Sequence, residues 1–571
     1  MMRRRPITRI LWGSFLGILA LGFSGRLFDA SGMPPYPGDR DGSARSPQFA
    51  AAVANYEELR ATFAERGIDQ PGGGLSPGYA LSGPFNLLAV CVDFSDKVSS
   101  VSAYKFDTLL FADRSGTVRD FYSQMAYGTL TMVSVNLPSS LGWQRMPQTY
   151  DYYVDSNFGL GSYPQNSQKL CEDLVEIIDP LVNFANYDND GDGYVDGLVI
   201  VHTGRGAELS GLTTDIWSHK WGIVPSRLKD GVRISTYSIQ PEYWNSPGDM
   251  TIGVYAHEIG HLFGLPDLYD VDGSSRGVGR WSLMASGSWN GTLGSSPAHM
   301  DAWCKSQVGF LTPTNVTTNM AGVSLSSVET SPAVYRLWAD GALGNEYFLI
   351  ENRQRVGYDL GLPSSGLLIW HIDDAQSSNT KEWYPGHTAT GHYWVALEQA
   401  DALWEMEKNI DYGDTGDPFP GSTAKTTFSA ATTPNSDAYS GTQTYVTVTN
   451  ISASGSPMTC DFQVSLIADV GDEENGAEPG PITQISNAPN PFNPATTIQY
   501  TTPGTDQVSL GIYDVLGRHV MTLLAGAVSP GTHEITWDGR DATGRPVASG
   551  VYFARLDNGR KSAIHKMVLV R

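Results

Sequence analysis

Hydrophobic and polar positions change their period several times along this chain, and each change marks an element. Leu87-Leu88-Ala89-Val90-Cys91-Val92 is a continuous apolar run and predicts a buried strand over 87–94. Gly116 to Tyr122 opens a predicted helix, and Met125 to Leu130 leads into another strand. Residues 167–179 carry helical spacing, and Gly197 to His202 is again apolar enough for a buried strand. Met300 to Val308 predicts the helix that closes this domain. From about 315 to 466 the pattern is one of strands, clearest at 345–353 and 366–373. From 482 onward, apolar and polar residues alternate between turns, as in a small antiparallel sandwich.

The segments between these runs are equally informative. Arg3, Arg4, Arg5 and Arg9 precede an uncharged apolar stretch from Ile10 to Phe23, with the small residues Ser24, Gly25, Ala30 and Ser31 after it. This is the pattern of a signal peptide over 1–30. The stretch falls short of the roughly 20 residues that a membrane span needs, with a retained anchor as the alternative. No later segment is apolar enough for stable membrane insertion. Residues 31–84 hold an extended Met33–Pro37, a helical pattern from Ala50 to Arg66 and a break at Gly72-Gly73-Gly74. They fit a propeptide or an N-terminal linker, without a cysteine to block a metal. Residues 467–481 are acidic, with little to bury, and read as a linker.

Charge and cysteine usage narrow the class. Thirty-seven Lys and Arg against 60 Asp and Glu give a formal net charge of −23. That argues against nucleic acid or an anionic membrane surface as partner and leaves carboxylates for calcium. Cys91, Cys171, Cys304 and Cys460 have no zinc-site spacing. Export permits disulfides, while scattered cysteines in a large core are often buried thiols; both remain open.

The chemistry concentrates in His257-Glu258-Ile259-Gly260-His261-Leu262-Phe263-Gly264-Leu265-Pro266-Asp267. Residues four apart share a helix face, so His257 and His261 can aim at one point. A catalytic zinc takes three protein ligands and keeps one open position. Gly264 permits the left-handed turn that ends such a helix, and Asp267 can return as the third ligand. Glu258, beside the first histidine, suits a general base. A bare H-E-x-x-H can arise by chance on a helix with two surface histidines; the glycine and aspartate extension makes that reading weak. Met284 follows in a Ser/Gly-rich turn, Trp281 to Trp289.

A second motif runs from Tyr187 to Asp196. Asp188, Asp190, Asp192, the Tyr194 carbonyl and Asp196 fall at calcium-loop positions, with Gly193 at the sharp turn. Val199 stands where an EF-hand has its glutamate, so the loop is incomplete and a solvated acidic turn is the alternative. His202, Glu208 and His219 are further candidates to touch metal or substrate, against core hydrogen bonding for His202. Asp401, Asp414 and Asp417 offer a weaker second calcium group, and Tyr255 and Tyr269 are candidates to stabilise an oxyanion. His371, His387 and His392 have no informative spacing.

HEIGHLFGLPDLYD followed by SLMASGSW resembles the immune inhibitor A family of secreted bacterial metallopeptidases, with aspartate where related metzincins more often carry a third histidine. Residues 116–130, the words HTGRGAE and DIWSH, and the runs at 345–353 and 366–373 are similar to that family too, so the resemblance covers about 85–465. It implies an α+β metzincin-like zinc peptidase domain over 85–314, with Met284 as its methionine turn, and a β-rich part of the peptidase unit over 315–466. Ala488–Pro494, Gly511–Arg518, Ser549–Phe553 and Lys566–Arg571 resemble both the C-terminal sorting domain of type IX secretion substrates and the Ig-like domain of flagellar hook-capping proteins. That implies an all-β Ig-like sandwich over 482–571 and export machinery as a partner. The expectation is a monomeric, secreted or cell-surface zinc endopeptidase of a bacterium, acting on proteins or peptides. The rival is a catalytically weak cell-surface binding protein on the same fold, whose sign would be a lost ligand or glutamate; neither is lost. A zinc hydrolase of non-peptide substrates is the third class.

Overall fold

The computed structural model describes residues 75, 79–271, 273–387, 391–465, 485–502, 506–514, 519–542, 544–557 and 562–570. The signal peptide expected over 1–30, the helical pattern at 50–66 and the linker over 467–481 lie outside them. The chain divides into two compact units, Met1–Leu466 and Ile467–Arg571.

In the first unit a five-stranded sheet runs in the order Trp143–Arg145, Leu88–Asp93, Leu198–Arg205, Val232–Tyr243 and His219–Lys229. Its first four strands are parallel, and the edge strand His219–Lys229 is antiparallel. The apolar runs Leu88–Val92 and Leu198–Val201 within these strands are continuous because both faces are covered. Leu88, Val90, Leu198 and Ile200 face a core completed by Leu170, Leu174 and Ile178 of the helix Ser167–Ile178. Ala89, Cys91, Val199 and Val201 face the opposite core. There the helices Tyr104–Phe111, Val118–Met125 and Gly253–Leu262 pack. Side-chain caps fix several helix starts. Thr117 accepts from the Asp120 amide at 3.1 Å, Asn166 from Lys169 at 3.1 Å and Asp301 from Cys304 at 2.9 Å.

Residues 315–466 build one core of their own and also share the core that the preceding residues form. A second sheet runs Val395–Leu397, Gly366–Asp373, Glu346–Arg353, Val334–Leu337, Thr314–Asn315. One of its faces, with Leu349, Leu368, Trp370 and Ile372, joins the core under the helix Gly253–Leu262. Its other face, with Phe348, Ile350, Leu367 and Ile369, packs with the three-stranded sheet of Thr447–Thr449, Met458–Gln463 and Met320–Leu325. All four cysteines are buried free thiols, which settles the choice left open between disulfides and core thiols. Among the described residues no helix is long and apolar enough to cross a membrane.

Among its described residues the second unit is all β. Ile485–Ala488, Thr496–Thr502 and Gly531–Trp537 form one antiparallel sheet. His519–Val528, Asp506–Asp514, Gly550–Asp557 and Ser562–Leu569 form the other. Ile498, Tyr500, Leu510, Ile512, Trp537 and Leu556 share one buried cluster, so the two sheets enclose a core of their own. A fragment of residues 482–571 is therefore expected to unfold alone in one cooperative transition. Removing it is expected to leave the first unit's calorimetric transition unmoved. Disappearance of that transition on truncation would mean the cores depend on one another.

Candidate metal centre

The helix Gly253–Leu262 is buried along its whole length, which is why its sequence lacks an amphipathic stripe. Two glycines set its surroundings. A Cβ on Gly260 would stand 2.6 Å from the Met284 sulfur, so only glycine lets the methionine lie against the helix between its two histidines. Gly264 has φ +87° and turns the chain back at the helix end. The reversal brings the Leu265 amide onto the Gly260 carbonyl at 3.1 Å. It also presents the Leu265 carbonyl to His261.

The histidines are held in one tautomer. His261 Nδ1 donates to the Leu265 carbonyl at 2.8 Å, and His257 Nδ1 donates to the Leu283 carbonyl at 2.9 Å. A carbonyl only accepts, so both Nδ1 atoms carry the proton and both Nε2 atoms present lone pairs. Burial lowers the His261 pKa, which disfavours the doubly protonated ring. The Nε2 atoms lie 3.1 Å apart, and Asp267 Oδ1 lies 3.2 Å from one and 3.3 Å from the other. Three lone-pair atoms packed this closely away from water repel unless a cation sits among them. A tetrahedron with zinc–ligand bonds of about 2.0–2.1 Å has edges of about 3.3–3.4 Å, close to this triangle. The donor set and spacing fit zinc.

Glu258 is fully buried, and neither carboxylate oxygen has a partner among the described residues. Burial first, then the charges of Asp267 and Glu208, push its carboxyl well above the usual range. A cation held by the adjacent triangle opposes that shift. Tyr269 is placed against the site, its ring centre 6.4 Å from that of His257. Tyr255 is committed elsewhere, donating to the Pro241 carbonyl at 3.1 Å.

The acidic loop is only partly assembled around one point. Carboxylate oxygens of Asp188, Asp190 and Asp196 lie within 4.8 Å of one another, and Asp192 is outside that group. Asp192 accepts from the Tyr194 amide at 2.8 Å, and Tyr194 is bridged to Arg233. Asp188 accepts from the amides of Gly191 and Gly193 at 2.8 and 3.0 Å. Asp196 is fully buried with Oδ1 unpartnered. Burial, reinforced by its three aspartate neighbours, raises its pKa to about 7.

The other candidates do not join the histidine pair. His202 Nδ1 donates to the Thr203 carbonyl at 3.0 Å, and burial lowers its pKa to about 3. His219 Nδ1 donates to the Trp217 carbonyl at 2.7 Å, and burial lowers its pKa to about 4. Glu208 accepts from the Ser218 amide at 3.3 Å and from its hydroxyl at 2.5 Å. His371 and His392 sandwich the Tyr439 ring at 4.0 and 3.7 Å. His371 is held between Glu346 and Glu398, and His392 is bonded to Asp373. His387 pairs with Glu382 at 3.4 Å. Asp401, Asp414 and Asp417 do converge, with Asp417 accepting from Trp281 Nε1 at 2.9 Å. Sequence reasoning missed the two orienting carbonyls, Leu265 and Leu283, because backbone acceptors leave no residue-type signal.

Residues 118–311 match the model of the immune inhibitor A peptidase M6 catalytic domain, and residues 492–559 match that of the FlgD Ig-like domain. The chain is 29% identical over 242 residues to the pre-pro-metalloprotease PrtV of Vibrio cholerae, covering 35% of this chain and 25% of that protein. It is 29% identical over 213 residues to immune inhibitor A of Bacillus thuringiensis subsp. alesti, covering 32% of this chain and 30% of that protein. It thus spans less than a third of the length of either relative. Among solved structures, the FlgD structure from P. aeruginosa aligns at 20% identity and TM-score 0.11, covering 13% of this chain and 58% of that one. A score that low carries no argument about fold.

The purified protein is expected to carry about one zinc per chain. His261→Ala should abolish it and Asp267→Ala reduce it, by metal analysis of the purified variants. Full zinc content in Asp267→Ala would remove that residue from the ligand set.

Proposed function

We propose that this chain is a secreted zinc-dependent endopeptidase acting on proteins or peptides. The observation that carries the reading is the buried triangle of His257, His261 and Asp267, with the unpartnered Glu258 carboxylate beside it. It lies within the stretch that matches a peptidase M6 catalytic domain. His257, His261 and Asp267 would hold the metal. Bound zinc supplies a Lewis acid that lowers the pKa of a water and polarises the scissile carbonyl. Glu258, as general base, takes the proton of the attacking water and passes it to the leaving amine. The backbone carbonyls of Leu265 and Leu283 keep the imidazoles in the ligating tautomer throughout. Met284, wedged against Gly260, fixes the floor of the site in a metzincin-like manner. The FlgD-like match and the sequence words of the tail support an export or surface-sorting role for the second unit.

We further assign a structural calcium to the Asp188–Asp196 loop, on the convergence of Asp188, Asp190 and Asp196 and the buried, unpartnered Asp196 oxygen. Asp192 and the Tyr194 carbonyl are secondary candidates.

Glu258→Ala is expected to keep zinc and fold while peptide hydrolysis falls about 10²–10⁴-fold, the usual range for a general base. Steady-state assays on a denatured-protein substrate, alongside zinc analysis, make the comparison. Undiminished hydrolysis would end this mechanism.

The calcium loop has a signed pH dependence. Because the folded-state pKa of Asp196 is raised to about 7, its contribution to stability is intact in acid. Without calcium that contribution is lost as pH rises through about 7. Thermal melts without calcium should therefore fall between mildly acidic and neutral pH. Saturating calcium should stabilise most at and above neutrality, where it need not displace a proton. Asp196→Asn should flatten both dependences. Identical melts with and without calcium at pH 8 would restore the solvated-turn reading.

A further inference from the structure

The carbonyl that fixes His257 is itself held from the β-rich region. The Leu283 amide donates to the His299 carbonyl at 3.2 Å, and the His299 amide donates to Asp359 Oδ1 at 2.8 Å. Asp359 takes a two-pronged grip from Arg353, with Nε on Oδ2 and Nη2 on Oδ1, both at 2.9 Å. The same guanidinium donates through Nη1 to the Trp281 carbonyl at 3.2 Å, and its Nη2 reaches the His299 carbonyl at 3.5 Å. Arg353 therefore touches both the segment that carries Leu283 and the segment bonded to it at His299. Glu351 also accepts from Nη1 at 3.3 Å and is anchored by Trp370 Nε1 at 2.9 Å, and the Glu329 carboxylate stands 3.6 Å from Nε.

Arg353, Asp359 and Glu351 are all fully buried. Sinking such an ion group into a core carries a large desolvation cost, and apolar residues of like volume often stabilise as well or better. Stability alone is therefore a poor reason for an arginine here. Besides Glu351, its donors go to two backbone carbonyls, at 281 and 299, and to a carboxylate that accepts from a third backbone group. A planar fork can set those distances together, whereas the single ammonium of lysine cannot.

We propose that Arg353, gripped by Asp359, is a positioning residue for the metal ligand His257, acting through the 281–283 turn and the Leu283 carbonyl. The metal centre then needs residues beyond the 118–311 stretch that matches the catalytic-domain model. Residues 346–359 become a working part of it. This rests on the zinc peptidase reading above.

The test uses the full-length chain with Arg353→Lys and Asp359→Asn. Arg336→Lys serves as control, since Arg336 bonds the carbonyls of Ala342 and Gly344 away from the turn. Zinc affinity is measured by chelator competition, hydrolysis by kcat and KM separately, and folding by thermal melts. Outer-shell changes typically cost about 10–100-fold in metal affinity or activity, and Arg353→Lys should lie in that range, with Asp359→Asn in the same direction. The loss should fall on zinc affinity and kcat while KM changes less than about twofold. Arg336→Lys should lower the melting temperature and leave zinc affinity alone. Wild-type zinc affinity and kcat in folded Arg353→Lys and Asp359→Asn would overturn the proposal, whatever their melting temperatures. Failure of both to fold would also overturn it, by making the network a requirement of the fold. A wild-type chain that binds no zinc would remove the underlying reading and this proposal with it.

Discussion

Two imidazole lone pairs 3.1 Å apart, both turned toward a buried carboxylate, form an arrangement that opposes itself without a cation. Much of the first unit serves to impose it. Each imidazole is locked from behind by a backbone carbonyl, one supplied by the turn at Gly264 and the other by the segment at Leu283. The helix carrying them has no solvent face, so its rotation is fixed by the sheet above and by Met284 against Gly260 below. Repulsion stored this way becomes affinity once a metal enters, because the ligands have no rearrangement left to make.

The β-rich region belongs to the same construction. The core beneath the helix runs from Leu81 through Val201 and Ile259 to Trp370 and Met406, so the first unit has no seam at residue 314. Polar contacts cross the same boundary. Trp281 bonds Asp417, the Leu268 carbonyl accepts from Asn379, and Arg353 reaches both Trp281 and His299. By contrast, the tail unit closes a core from its own strands.

The site was legible from sequence where chemistry imposes spacing. Ligand atoms of the histidines four apart and of the aspartate beyond the glycine turn come together around one point. The apolar runs Leu87–Val92 and Leu198–Val201 were equally plain, because burial on both faces leaves them without polar interruptions. The strand Val232–Tyr243 was not anticipated, for the opposite reason. Ser235, Thr236, Ser238, Gln240 and Glu242 are polar and buried, so residue type misreports the environment. The helix expected over 300–308 begins at Ala302 because Asp301 is its cap. Arg353 and Asp359 were invisible as site residues, since sheet pairing and core packing, not local spacing, bring them to His299. The acidic loop shows a middle case, with spacing right for three aspartates and Asp192 turned to the Tyr194 amide instead.

A core that spans Leu81 to Met406 also sets a timetable. A nascent chain has His257, His261 and Asp267 in hand well before Arg353, Trp370 and Met406 emerge. Until those arrive, the helix lacks the layer that buries its lower side, and the Leu283 carbonyl lacks its support. Domains fold as units once their full complement of residues is present. The ability to hold metal should therefore come late in the chain's synthesis, after the β-rich strands emerge. On the proposed reading, a polypeptide interrupted at the end of the histidine motif would be inert and so harmless to the machinery that makes it.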